Sequence, residues 1–201
     1  MIYTIGHSNL SADTLLELLR RHAIQALGDV RSVPFSRFNP QFNRDTFSAT
    51  LREAGIKYVY LGEELGARSK DPADYDGHRV SYEKLARSPL FLRGLERVRA
   101  GMRDHRIALM CAEREPLNCH RTILIARELE RAEIPVAHIL QDGSLETHAQ
   151  TMDRLVADLK LGIGLFKTPS ELLEEAYHLQ AGKVSYVGGK PKTGRGSQLP
   201  D

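Results

Sequence analysis

The chain alternates short apolar, β-branched runs with longer stretches whose apolar residues recur every three to four positions. Residues 2–5 (IYTI) read as a strand that stops at Gly6. Ser11 is placed to cap a helix over 12–22, with Leu15, Leu16, Leu18 and Leu19 on its apolar face. A second strand over 24–30 (IQALGDV) leads into a polar, Pro-containing loop that runs to about residue 41. Asn43 can cap a helix over 44–54, closed by Gly55. A third strand covers 56–61 (IKYVYL). Residues 62–80 then read as one long polar loop, a length that marks a lid or another functional segment. Ser88-Pro89 opens a helix to about residue 104. A strand over 106–111 (RIALMC), a helix over 119–132 capped by Asn118, and a strand over 135–140 (PVAHIL) follow. Helices over about 145–160 and 170–180 complete the order.

This alternation predicts an α/β fold, a single three-layer domain over 1–160 built on a mainly parallel sheet of about five strands. A C-terminal helical extension (161–187) and a Gly/Pro/Lys-rich, disordered basic tail (188–201) follow it. In such a sheet the carboxyl ends of the parallel strands share one edge, and ligands bind there.

Polar and ionisable residues collect at those predicted ends: Gly6-His7-Ser8, Asp29-Val30-Arg31, Tyr60-Leu61-Gly62, and Cys111-Ala112-Glu113. The stretch LMCAEREPLNCHRTILI holds the chain's two cysteines, Cys111 and Cys119, with Glu113, His120 and Arg121 between or beside them. A thiol at a helix start is acidified by the backbone dipole, and an arginine there forms a fork for phosphate or carboxylate. The candidate catalytic groups are therefore Cys111, Glu113, His7, Cys119 and His120. Arg31, Arg121, Asp29, Ser8, Tyr60 and Gly62 are the candidate substrate contacts. Each has a plainer reading: a buried cysteine packs as a small apolar residue, and a histidine or aspartate can simply hold a loop. His7, Cys111, Cys119 and His120 offer the ligand types of a zinc site, but the spacing Cys-x7-Cys-His matches no strong zinc pattern, so no metal and no cofactor are expected. Arg31, Arg37 and Arg44 interleave with Phe35, Phe38 and Phe42; the phenylalanines are expected to fold back onto the core. The Gly-rich dinucleotide, phosphate-loop and nucleophile-elbow motifs are absent.

Composition adds limits. The net charge is only +2, and Lys190, Lys192 and Arg195 against Asp201 account for all of it. Composition alone thus makes no case for nucleic acid. Two cysteines suit a reducing, cytoplasmic setting rather than a disulfide scaffold. The opening MIYTIGHSNL lacks the basic-then-apolar order of a signal peptide, and no apolar run is long enough for a membrane. The sequence has no sign of a particular oligomeric state.

Tyr3-Thr4-Ile5-Gly6-His7-Ser8, Asp29-Val30-Arg31 with Pro34 and Ser36, Leu61-Gly62, Cys111-x-Glu113 and Cys119-His120-Arg121 together resemble the domain of unknown function 488 family, from Tyr3 to about Ile139. One departure is Leu65-Gly66-Ala67, where the family pattern would have Leu-Gly-Gly. The resemblance implies a common site without naming a reaction. A more distant analogy is to rhodanese-type sulfurtransferases, through Asp29-Val30-Arg31, Cys111 and Arg121, although Cys111 to Arg121 is longer than their anion-binding loop. The sequence thus points first to an enzyme, of hydrolase or transferase type, acting on a small anionic or phosphate-bearing substrate such as a nucleotide or nucleic-acid end. The alternatives are a sulfur-carrying or redox thiol protein, and a non-catalytic nucleic-acid-binding module.

Overall fold

Register across the central strands decides where the chemistry sits. In a computed structural model, which describes residues 1–162 and 167–188, a six-stranded sheet runs through the protein. The elements, in chain order, are β1 (Ile2–Gly6), α1 (Ala12–Arg21), β2 (Ala26–Asp29), α2 (Arg44–Glu53), β3 (Lys57–Tyr60), α3 (Gly62–Leu65), β4 (Tyr75–Asp76), β5 (Arg79–Val80), α4 (Tyr82–Leu85), α5 (Pro89–Gly101), β6 (Ile107–Cys111), α6 (Arg127–Arg131), β7 (Val136–Ile139), β8 (Leu145–Thr147), α7 (His148–Asp158) and α8 (Pro169–Val184). The sheet order is β3-β2-β6-β1-β7-β8, with β8 antiparallel at one edge and the other five strands parallel. The five carboxyl ends therefore share one edge, as the alternation implies.

Strand side chains alternate between faces. Tyr3, Ile5, Leu27, Ala108, Met110, Ala137 and Ile139 join the leucines of α1 and Phe47 and Leu51 of α2 in one core. Ile2, Ala26, Val30, Ile107, Leu109, Cys111 and Val136 join residues of α5, α6, α7 and α8 in the other. The sheet is covered on both sides, as its near-continuous apolar strands require. Among the described residues no helix is long and apolar enough to cross a membrane.

Local signals account for most helix ends. Ser11 Oγ accepts from Thr14 N at 3.0 Å, and Ser88 Oγ from Phe91 N at 3.2 Å. Gly55 takes φ +75°, the left-handed conformation that ends α2. Several expectations need correction. Asn43 precedes α2 but gives no side-chain cap; its Oδ1 accepts from Ser36 N at 2.7 Å and pins the 31–41 loop instead. The segment 62–80 is not one loop: it holds the single turn α3 and the β4–β5 ribbon. The α3 turn is stabilised by tertiary packing, since Leu65 is fully buried against Gly94 of α5. The segment 145–160 begins as β8, and a capping box between Thr147 and Gln150 starts the helix only afterwards. The 119–132 segment is a π-helix over Arg121–Ala126 followed by α6, with His120 rather than Asn118 at its start. The C-terminal α8 packs into the core through Leu172, Ala176 and Tyr177. The predicted basic tail falls, beyond Gly188, outside the described residues.

Candidate functional site

The end of β6 builds the site. Gly6 of β1 stands opposite Cys111 of β6. His7 N donates to Cys111 O at 3.0 Å and Ser8 N to Ala112 O at 2.9 Å, so β1 steers the chain beyond Cys111. Gly6 is required here: a Cβ on it would lie 1.8 Å from the Glu113 carbonyl. That carbonyl accepts from Arg121 Nη1 at 2.7 Å, and Arg114 O from Arg121 Nη2 at 3.1 Å. Arg121 is 1% exposed, so its guanidinium clamps the loop from within instead of facing a ligand. A short turn at Pro116–Asn118, capped by Glu115, then brings Cys119 back beneath Cys111.

Four side chains meet as a result. Glu113 Oε2 lies 3.0 Å from Cys111 Sγ and 3.0 Å from Cys119 Sγ. His120 Nδ1 lies 3.6 Å from Cys111 Sγ and 3.8 Å from Cys119 Sγ. On the far side of the ring, His120 Nε2–H donates to Val30 O at 3.2 Å. A carbonyl only accepts, so this bond fixes the hydrogen on Nε2 and leaves the Nδ1 lone pair facing the sulfurs in the neutral ring. Arg121 N–H also points at Cys119 Sγ, at 3.4 Å. Glu113 is exposed as a residue, yet its Oε2 turns inward onto both thiols.

Three acids in such contact do not all ionise. Burial pushes the Cys111 thiol well above its usual range, and Cys119 and Glu113 add to that. At Cys119 burial opposes ionisation, but the Cys111 thiol, the Arg121 charge and His120 outweigh it and hold Cys119 well below the usual thiol range. Burial and Cys119 raise Glu113. At His120 burial opposes the charged form, while Cys119 and Glu113 overcome it and raise the imidazole.

A cavity of about 200 Å³ opens over the cluster. Cys111, Glu113, His120 and Asn118 line its inner side; Arg31, Ser32, Ala67, Arg68, Tyr82 and Tyr186 line the rest. The residue that departs from the family pattern, Ala67, is thus part of this wall. Cys119 stays behind it. Tyr186 follows α8 and carries the Arg68 guanidinium over its ring at 4.9 Å. Nothing near Tyr186 in sequence marks it as a wall of this cavity.

Of the other candidates, Arg31 shares this cavity's wall and the rest lie beside it. His7, Asp29 and Arg31 form a second network, tied to the loop at Phe42. Arg31 Nε and Nη2 donate to the Asp29 carboxylate at 2.9 and 2.6 Å, Nη2 also to Phe42 O at 2.8 Å, and Nη1 to His7 Nε2 at 3.1 Å. Tyr58 OH donates to Asp29 Oδ2 at 2.7 Å, and His7 Nδ1–H to Ser8 O at 2.8 Å. Burial, reinforced by Arg31, lowers His7 to about 4, which keeps the ring neutral. Ser8 takes φ +48° and bonds Asn9 at 3.3 Å. Tyr60 and Gly62 line a neighbouring cavity of about 510 Å³ that shares Ser32 and Arg68 with the first. Phe42 is buried, but Phe35 and Phe38 are 65% and 94% exposed, against the expectation that all three pack inward. They sit on the loop that leaves the cavity at Ser32 and Val33.

A family model described as "Domain of unknown function DUF488" matches residues 11–127, more than half of the chain. The chain belongs to the DUF488 family. The match contains Asp29, Arg31 and the whole Cys111–Arg121 stretch. It leaves out Tyr3–Ser8 and everything beyond Arg127, so the resemblance to Ile139 is wider than the matched region. Neither the curated proteins nor the solved structures give a match.

Proposed function

We propose that this DUF488 protein is an enzyme, of hydrolase or transferase type, acting on a small phosphate-bearing substrate. The observation that carries this reading is the convergence of Cys111, Cys119, Glu113 and His120 under a cavity at the carboxyl edge of the sheet. Cys111 and Glu113 face the substrate, and Glu113 is the group placed to accept a proton there. The anion contact moves from Arg121, which is committed to two carbonyls, to the rim. Arg68 is exposed there, and Arg31 has one of its five N–H groups left over after its contacts among the described residues. The exposed Phe35 and Phe38 offer stacking surfaces for a base, which favours a nucleotide or nucleic-acid end over bare phosphate.

The test is alkylation of Cys111 by iodoacetamide in the metal-free full chain, read by mass spectrometry with phosphate or a mononucleotide present. Both should slow the reaction, the nucleotide more. Phe38→Ala should weaken nucleotide protection roughly 5-fold or more while leaving phosphate protection intact. If neither anion slows alkylation, the reading fails.

A second reading, a sulfur-carrying or redox dithiol, is favoured by one fact: both sulfurs contact the same carboxylate oxygen. It predicts a persulfide or a Cys111–Cys119 disulfide after exposure to a sulfur donor or oxidant. Two unmodified thiols would remove it.

A further inference from the structure

Four donor atoms, one each from Cys111, Glu113, Cys119 and His120, lie within 4.8 Å of one another. We propose that they form a binding site for a zinc-class divalent cation, reached through the 200 Å³ cavity. The inference concerns what the cluster holds, and stands whether or not the phosphate-bearing substrate is correct.

The geometry is the first argument. Zinc bonds of about 2.3 Å to sulfur and about 2.0 Å to nitrogen give a tetrahedron with sulfur–nitrogen edges of about 3.6 Å. His120 Nδ1 stands 3.6 and 3.8 Å from the two sulfurs. The carboxylate, at 3.0 Å from each sulfur, is where an S–H···O bond places it before an ion enters. A small outward movement makes it the fourth ligand, and as the exposed member it is also the one a substrate or water can displace.

The surroundings are the second argument. Metal-binding histidines have the second ring nitrogen held by a carbonyl or carboxylate, which orients the ring and fixes the tautomer. Val30 O does this for His120. The Arg121 N–H aimed at Cys119 Sγ would serve a coordinated thiolate in the same way.

Charge is the third argument. Two thiols and a carboxylate cluster here, yet among the described residues Glu113 makes no ion pair, and Arg121 Nη1 and Nη2 donate to carbonyls. A divalent cation would bond these acids directly as they lose their protons, and the soft S₂N set with one oxygen selects zinc-class ions over magnesium or calcium. The sequence conceals the site because its ligands follow Cys-x-Glu-x5-Cys-His, without the paired Cys-x2-Cys knuckles of structural zinc modules.

The experiment loads the reduced full chain with zinc chloride, removes excess by gel filtration and measures the metal by mass spectrometry. Cobalt chloride is titrated in parallel. The expected results are one zinc per chain, a thiolate-to-cobalt charge-transfer band with the strong visible absorption of a tetrahedral ion, and protection of both cysteines from alkylation by zinc. Cys119→Ser and His120→Ala should lose the cobalt band, and Glu113→Gln should keep it with altered visible absorption. Should a serine variant fail to fold, zinc protection of both wild-type cysteines still decides. No zinc retained by folded, reduced wild type, or a cobalt band that survives loss of both cysteines, overturns the proposal. Metal retention with no anion protection of Cys111 would sink the substrate reading alone, and the converse would sink the metal site alone.

Discussion

Two polar clusters stand side by side at the same edge of the sheet, meeting where Arg31 lines the cavity over Cys111, and they differ in how they are balanced. Around Arg31 each charge has its complement: a carboxylate takes the guanidinium in two bonds, a tyrosine hydroxyl completes the carboxylate, and a neutral histidine accepts a remaining N–H. Around Cys111 two thiols, a carboxylate and an imidazole crowd together, while the nearby Arg121 guanidinium gives its Nη hydrogens to carbonyls. Ionisable residues at a strand end therefore do not by themselves mark a site. A nearly saturated network anchors loops, here at the Phe42 carbonyl and at the start of the loop after β1, and keeps one Arg31 N–H to spare. An unsaturated one retains the capacity to bind.

Removing one member of the saturated network should have the largest effect. Asp29→Ala leaves Arg31 buried without its counter-charge and should cost about 3–5 kcal/mol in urea unfolding. A loss below about 1 kcal/mol would mean that the network is not locked.

The next effect comes from a buried row, Thr4–His138–His148–Tyr177, joined by contacts of 2.7, 3.1 and 2.7 Å. Burial lowers His148 to about 4 from 6.5. The unfolded chain therefore takes up a proton that the folded chain refuses between those values. Stability from this group is complete above about pH 6.5 and declines as pH falls toward 4, by about 3 kcal/mol in all. His148→Gln should flatten that slope relative to wild type. Equal slopes would show that this row is not held neutral.

Gly6→Ala should cost about 2 kcal/mol, because the new methyl displaces the Glu113 carbonyl from Arg121. It should also change the alkylation rate of Cys111, since the loop carrying Glu113 moves. A thermal shift without any change at Cys111 would separate the clamp from the site.

The smallest change sharpens the comparison most. Cys111→Ser in the metal-free protein should cost less than about 1.5 kcal/mol, since the cluster holds little of the fold before a ligand enters. A loss as large as that of Asp29→Ala would make Cys111 a structural residue.

Much of this was legible in the sequence, and the rest was not for identifiable reasons. Apolar periodicity placed every parallel strand within two residues of its observed ends; β1, β2, β6 and β7, buried on both faces, are written as nearly continuous apolar runs, and the half-buried edge strand β3 as a β-branched and aromatic one. The members of the cluster were legible as candidates, since Cys111, Glu113, Cys119 and His120 lie within ten residues of chain, but whether Cys111 and Cys119 meet was not. How the cluster stands relative to the network of His7, Asp29 and Arg31 was not legible either. Strand parity puts Asp29 and Val30 on opposite faces, but only the pairing of β2 with β6 tells which face Cys111 shares. The inward turn of Arg121 depends on Gly6 leaving room for the Glu113 carbonyl, a contact between distant segments. The α3 turn and the wall at Tyr186 are likewise products of tertiary packing, which local propensity does not encode.

The central claim is that the unsaturated cluster is the one that binds. X-ray absorption at the zinc edge, on the full chain carrying one equivalent of zinc, tests it most directly. The account predicts four-coordinate zinc with two sulfur neighbours at about 2.3 Å and the remainder nitrogen or oxygen at about 2.0–2.2 Å. A shell of nitrogen and oxygen only would contradict it.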